Sequence, residues 1–162
     1  HPYTGFLYAG LMIDTEGNPT VIEYNCRLGD PETQPIMHRL QSDLAALCLA
    51  ALDHTLGQHT AQWDPRPAVG VVLAASGYPG SYKKGLAISG LNSDLPASTK
   101  VFHAGTQQEG SAITTQGGRV LCVSALGDSI GEAIEAAYHA VDQISWEGMI
   151  CRRDIGWRAI DR

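Results

Sequence analysis

Two prolines sit within four residues in Asp64-Pro65-Arg66-Pro67. Neither a helix nor a central strand runs through such a segment, because proline lacks the donor both need. The chain is thereby divided into two stretches of different pattern. The first reads strand, strand, helix, and a β-β-α unit of roughly 60 residues closes only a marginal core. The second reads as short strands with one long helix and has enough apolar sequence to bury its own interior. A sheet that the first stretch needs and this sequence lacks is the simplest account of the imbalance. The chain is therefore expected to be a piece of a longer polypeptide, in keeping with His1 rather than Met at the first position. The expected fold class is α+β, with the end of one domain over 1–62 and a β-rich domain over 63–162.

Phe6 to Ile13 is a short apolar run and predicts a strand. Asp14-Thr15-Glu16-Gly17-Asn18-Pro19 supplies turn residues, and Thr20 to Cys26 predicts a second strand, which together make an antiparallel hairpin. Gly29-Asp30-Pro31-Glu32 resembles a helix start, with Asp30 as cap and Pro31 in the first turn. Apolar residues at Ile36, Leu40, Leu44, Leu47, Cys48, Ala51 and Leu52 predict one continuous helix to about Leu56. Beyond the prolines, strands are expected at 68–76, 86–91, 100–104, 112–115 and 119–126. A helix capped by Asp128 is expected to follow.

Hydrophobic residues at 44% against 17% charged exclude a disordered chain. A net charge of −6 argues against a general nucleic-acid binder, which needs a basic face. No apolar run approaches the ~18–20 residues of a membrane helix. Cys26, Cys48, Cys122 and Cys151 form no CxxC pair, so neither a disulfide framework nor zinc is expected, and a cytoplasmic location is. Six scattered histidines make no metal motif.

Chemistry concentrates in Glu23-Tyr24-Asn25-Cys26-Arg27-Leu28-Gly29-Asp30-Pro31-Glu32. On a strand, Glu23 and Asn25 share a face, and Arg27 follows if the strand continues. A carboxylate and an amide oxygen are hard donors of the kind Mg²⁺ takes, its remaining ligands being waters and substrate phosphates. An arginine beyond them suits charge on a transferring phosphoryl group. The alternative is an exposed hairpin face wetted by solvent, with Cys26 turned into a core. Lys84, in the glycine-rich loop 77–85, is a candidate phosphate contact, with a plain connecting loop as the alternative. Arg153, in the arginine-rich tail, is another, with a solvated tail as its alternative.

Gly5-Phe6-Leu7-Tyr8-Ala9-Gly10-Leu11-Met12, followed by Glu23 through Pro35, resembles the phosphoribosylamine–glycine ligase (glycinamide ribonucleotide synthetase) family of the ATP-grasp superfamily. Ser76-Gly77-Tyr78-Pro79-Gly80, Lys84-Gly85, His103-Ala104-Gly105-Thr106, Gly117-Gly118-Arg119-Val120-Leu121 and Arg153 through Ala159 resemble its C-terminal domain in the same order. The resemblance covers essentially the whole chain but only the C-terminal portion of the family's length. It implies the last strands and helix of an ATP-grasp domain followed by the β-rich domain, with most ATP-clamping residues upstream. It implies an ATP-dependent carbon–nitrogen ligase of purine biosynthesis, joining glycine to 5-phosphoribosylamine through glycyl phosphate. ATP is the co-substrate and Mg²⁺ or Mn²⁺ the metal. By resemblance, Glu23 and Asn25 are metal ligands, and Arg27 is the catalytic cation near the acyl phosphate. Gly29, Asp30 and Glu32 lie at the glycine site, where either carboxylate can hold the ammonium, while Lys84 and Arg153 contact substrate. The expected partners are these small molecules and the upstream part of the same polypeptide, not nucleic acid or membrane.

One departure stands out: the superfamily's additional metal carboxylate, counted back from Glu23, falls on Gly10, and Asp14 lies too late to replace it. Two other readings compete. A non-catalytic ATP-grasp-derived binding module has no reason to keep Glu23, Asn25 and Arg27 together. A different purine-pathway ATP-grasp ligase is expected to differ after Glu-x-Asn.

Overall fold

The structure is a computed structural model and describes residues 2–160. Strands β1 (Tyr8–Ile13) and β2 (Pro19–Asn25) form the expected antiparallel hairpin. Its turn is closed by the Asp14 carboxylate, which accepts from the amides of Glu16 (2.9 Å) and Asn18 (2.8 Å).

The helical stretch departs from expectation. It is two helices, α1 (Thr33–Arg39) and α2 (Leu44–Leu52), not one helix to Leu56. The break is made by tertiary pairing with the linker. Leu40 turns extended and bridges Trp63, Gln41 N donates to Gln62 O (2.9 Å), and Asp64 N donates to Arg39 O (2.7 Å). Asp43 then caps α2, accepting from the amides of Ala45 and Ala46. The start is also later than expected: α1 begins at Thr33, Asp30 is not its cap, and Thr33 N donates to Gly29 O at 3.1 Å.

Beyond the linker, β3 (Ala68–Ala75), β4 (Thr99–His103), β7 (Arg119–Leu126) and β8 (Met149–Cys151) form one antiparallel sheet in the order β4-β7-β3-β8. Strands β5 (Thr106–Glu109) and β6 (Ala112–Thr115) make a separate hairpin. The expected strand at 86–91 is only two isolated bridges, at Ala87 and Ser89. β5 and β8 were not expected; both are short and polar or flanked by irregular chain.

Helix α3 (Ile130–Val141) packs on one sheet face. Its cap is Ser129 rather than Asp128: Ser129 Oγ accepts from Glu132 N, while the Glu132 carboxylate accepts from Asp128 N. Ala133, Ala137 and Ala140 are fully buried and bring the helix close to Val71, Leu73, Leu121 and Val123. Alternation along β3 and β7 sends Gly70, Cys122 and Ser124 to the opposite face. There α1 lies against them, with Pro35 so near Gly70 that an added Cβ would sit 3.2 Å from Pro35 Cδ. His38 Nδ1 and Ser124 Oγ are 3.0 Å apart. The sheet is therefore covered on both faces, once by each stretch of the chain.

The rest of the first stretch is open. Leu11, Ile13, Val21, Ile22 and Tyr24 of the hairpin are exposed, as are Leu49 and Leu52 of α2. An apolar groove of about 610 Å³ runs between Phe6, Leu28, Met37, Leu40, Leu44 and Leu47. This is the imbalance anticipated from the sequence. Among the described residues no helix is long and apolar enough to cross a membrane.

Burial, followed by the charges of Lys100 and Arg66 and opposed by Asp64, holds the His38 imidazole below its ordinary 6.5. The folded state then binds this proton less tightly than the unfolded state. Its contribution to stability is complete above 6.5 and falls as pH drops through that value toward the lowered folded pKa. Thermal melting across this window is expected to show a declining midpoint on acidification, and His38→Gln is expected to flatten that part of the profile. An unchanged profile in the variant would remove His38 as the cause.

Candidate active site

β2 places Glu23 and Asn25 on one face, and Asn25 Nδ2 donates to Glu23 Oε1 at 3.0 Å. That bond leaves the Asn25 Oδ1 and the second carboxylate oxygen of Glu23 as adjacent hard donors. The set fits a Mg²⁺ that draws its other ligands from water and phosphate. Across the hairpin Glu23 faces Gly10, and a Cβ there would lie 3.1 Å from Glu23 Cγ. Gly10 thus makes room for Glu23, and a carboxylate at that position would crowd it. Asp14 is committed to the turn, where hydrogen bonds from Asn18 lower its pKa. Among the described residues no three His, Cys, Asp or Glu side chains cluster as a ready metal cage.

Arg27 lies past the end of β2, exposed, with Nη1 donating to Leu28 O at 3.0 Å. Gly29 is buried, and a Cβ on it would collide with the Glu32 carboxylate and the Tyr8 ring. The carbonyl of Gly29 accepts from both Thr33 N and Thr33 Oγ1. Glu32 is half-buried, with Tyr8 Oη 3.5 Å from its Oε1. Asp30 is held by a residue of the second stretch: Arg119 Nη2 lies 3.1 Å from Asp30 Oδ2.

The structure thus gathers Glu23, Asn25, Arg27, Gly29, Asp30 and Glu32 along one strand end and the turn after it. It does not join Lys84 or Arg153 to them by any contact. Lys84 is exposed on its loop, and its neighbour Lys83 reaches Glu147 at 3.4 Å. Arg153 pairs with Asp142 at 2.6 Å and lies over the Tyr138 ring, 5.6 Å from its centre. Tyr138 Oη also ties down the tail backbone, donating to Arg152 O (2.8 Å) and accepting from Ile155 N (3.0 Å). Sequence reasoning missed Arg119 and Tyr8 as neighbours of the turn, and Tyr78 as the ring beneath Arg119. Arg119 was visible only as the residue after Gly117-Gly118.

Residues 68–158 match the model of the phosphoribosylglycinamide synthetase C domain, and residues 1–33 that of the ATP-grasp (A) domain of phosphoribosylglycinamide synthetase. This chain belongs to the phosphoribosylglycinamide synthetase family. The phosphoribosylamine–glycine ligase of Vibrio cholerae is 64% identical over 160 residues, which is 99% of this chain and 37% of that protein. The ligase of Escherichia coli K12 is 58% identical over 161 residues, 99% of this chain and 38% of that protein. The crystal structure of the Thermotoga maritima ligase matches with a TM-score of 0.75 and 37% identity, over 91% of this chain and 36% of that one. A biotin carboxylase from Campylobacter jejuni matches with a TM-score of 0.65 at 12% identity, over 99% of this chain and 36% of that one, which shows a shared fold alone. The chain therefore spans under two-fifths of the length of the curated synthetase relatives it matches.

In this synthetase chain Cys26, between Asn25 and Arg27, is exposed and not in a core. Cys122, beneath α1, is buried, and burial pushes its thiol up to about 12. Thiolate is the reactive form, so iodoacetamide near pH 8 is expected to alkylate Cys26 well before Cys122. Peptide mapping that finds Cys122 labelled first in folded protein would contradict the packing of α1 on β7.

Proposed function

We propose that this chain carries the metal-binding strand and part of the glycine site of a phosphoribosylamine–glycine ligase. In that reaction ATP phosphorylates the glycine carboxylate, the amine of 5-phosphoribosylamine attacks the acyl carbonyl, and phosphate leaves. Glu23 and Asn25 hold Mg²⁺ or Mn²⁺, which when bound neutralises phosphate charge during transfer. Arg27 swings from the Leu28 carbonyl to stabilise negative charge on the transferring phosphoryl group and the acyl phosphate. The Gly29–Glu32 turn receives glycine, with Glu32 as the less engaged carboxylate for its ammonium. Lys84 serves as a phosphate contact, and Arg153 serves the phosphorylated ribose.

The observation that carries this reading is the hydrogen-bonded Glu23–Asn25 pair, aimed off one face of β2 within a chain 64% identical to such a ligase. The open apolar faces of the hairpin and α2 support a further part of the proposal. The upstream portion of the same polypeptide covers them and supplies most ATP contacts. On this reading residues 1–62 belong to the ATP-grasp domain and 63–162 to the C-terminal domain. The enzyme is cytoplasmic, and these 162 residues alone do not turn over.

The test is ADP release by the full reading frame, with and without glycine and 5-phosphoribosylamine. Release is expected to need both substrates. Glu23→Gln is expected to lower kcat by about 10²-fold or more with little change in melting temperature. A Glu23→Gln enzyme with unchanged kcat would sink the metal assignment. Glycine-dependent ADP release from the 17.3 kDa chain alone would sink the prediction of inactivity.

A further inference from the structure

Arg119 opens β7 and reaches from the second stretch of the chain into the turn of the first. Its Nη2 lies 3.1 Å from Asp30 Oδ2, and its Nη1 donates to Asp30 O at 3.5 Å. One guanidinium therefore holds both the side chain and the backbone of Asp30. The guanidinium carbon lies 5.9 Å from the centre of the Tyr78 ring. That ring rests on Gly118 so closely that any Cβ there would overlap it. The preceding Gly117 is in backbone contact with Gly105, where a side chain has equally little room. Gly117 N and Gln116 N both donate to Gly105 O, and Ala75 N donates to Gly118 O. Arg119 thus stands on a preorganised platform.

Both partners are near half-exposed, at 40% and 45%. A pair in that setting contributes at most about 1 kcal/mol to stability. What it fixes is geometry. Asp30 is two residues from Glu32 and one from Gly29, whose carbonyl anchors the start of α1. Engagement by Arg119 also separates the two acids that sequence left equivalent. Asp30 is occupied by a cation, whereas Glu32 has only Tyr8 Oη at 3.5 Å.

We propose that Arg119 is a positioning residue of the ligase reaction, holding Asp30 so that the Gly29–Glu32 turn presents the Glu32 carboxylate to the ammonium of the amino-acid substrate. The proposal rests on the ligase reading and assigns the C-terminal domain a direct part in building the glycine site. Small displacements of a positioning group cost up to about 10²-fold in rate.

The experiment uses the full-length enzyme and measures KM for glycine, kcat and melting temperature. Arg119→Ala is expected to raise KM for glycine about 10-fold or more with a near-constant melting temperature, and Arg119→Lys to recover part of the loss. Asp30→Asn combined with Arg119→Ala is expected to be no worse than the more damaging single change, because the two act as one unit. Multiplying losses would mean that Asp30 meets the substrate by itself, which overturns the proposal. A lowered melting temperature with unchanged KM would make Arg119 a fold residue only and overturn it equally. Wild-type enzyme without glycine-dependent ADP release removes the ligase reading and this proposal with it. Normal wild-type activity with an unaffected Arg119→Ala variant removes this proposal alone.

Discussion

Helix α1 lies against the sheet because β3 and β7 present Gly70, Cys122 and Ser124 on that face, with no large side chain among these three. The close approach decides much else. It covers the second face of a sheet whose first face is already sealed by α3. It fixes the direction in which α1 leaves the Gly29–Glu32 turn, and so where that turn meets Arg119. It also seats His38 over Ser124 and shields the Cys122 thiol. The two stretches separated by the prolines are thus not independent bodies. The candidate site sits where one hands over to the other.

How far the sequence could be read depended on the range of the interactions involved. The hairpin, β3, β7 and α3 were legible because alternation and 3.6-residue periodicity are local signals. The Glu23–Asn25 face was legible for the same reason, since a period of two puts both on one side. The split of the helical stretch was not, because Leu40 leaves the helix to pair with Trp63, 23 residues away. A local trace existed in Ser42-Asp43 before Leu44, a cap in the middle of an apolar pattern. Arg119 was hidden for a related reason. It lies 89 residues from Asp30, and nothing in periodicity or composition announces such a contact.

The likeness to biotin carboxylases at 12% identity shows how little of this scaffold depends on particular side chains. In this chain the candidate site joins residues of a strand to an exposed residue beyond its end. Glu23 and Asn25 are set by strand geometry. Arg27 sits beyond the strand, held by a single bond to Leu28 O. On the proposed reading, a group that meets charge only while it develops gains from that freedom, whereas a proposed ligand pair gains from being fixed.

The irregularity in the hairpin pairing, where Ile22 of β2 is the extra residue opposite Gly10 and Leu11, has a consequence for how the hairpin can vary. In an unbroken ladder, one residue gained or lost at the tip would rotate every side chain beyond it to the other face. Here the pairing resets between Val21 and Glu23. The tip around Asp14 to Asn18 can therefore change length and have the slip absorbed at the bulge. The carboxylate of Glu23 keeps its phase, and the outer part of the ribbon is free to diverge.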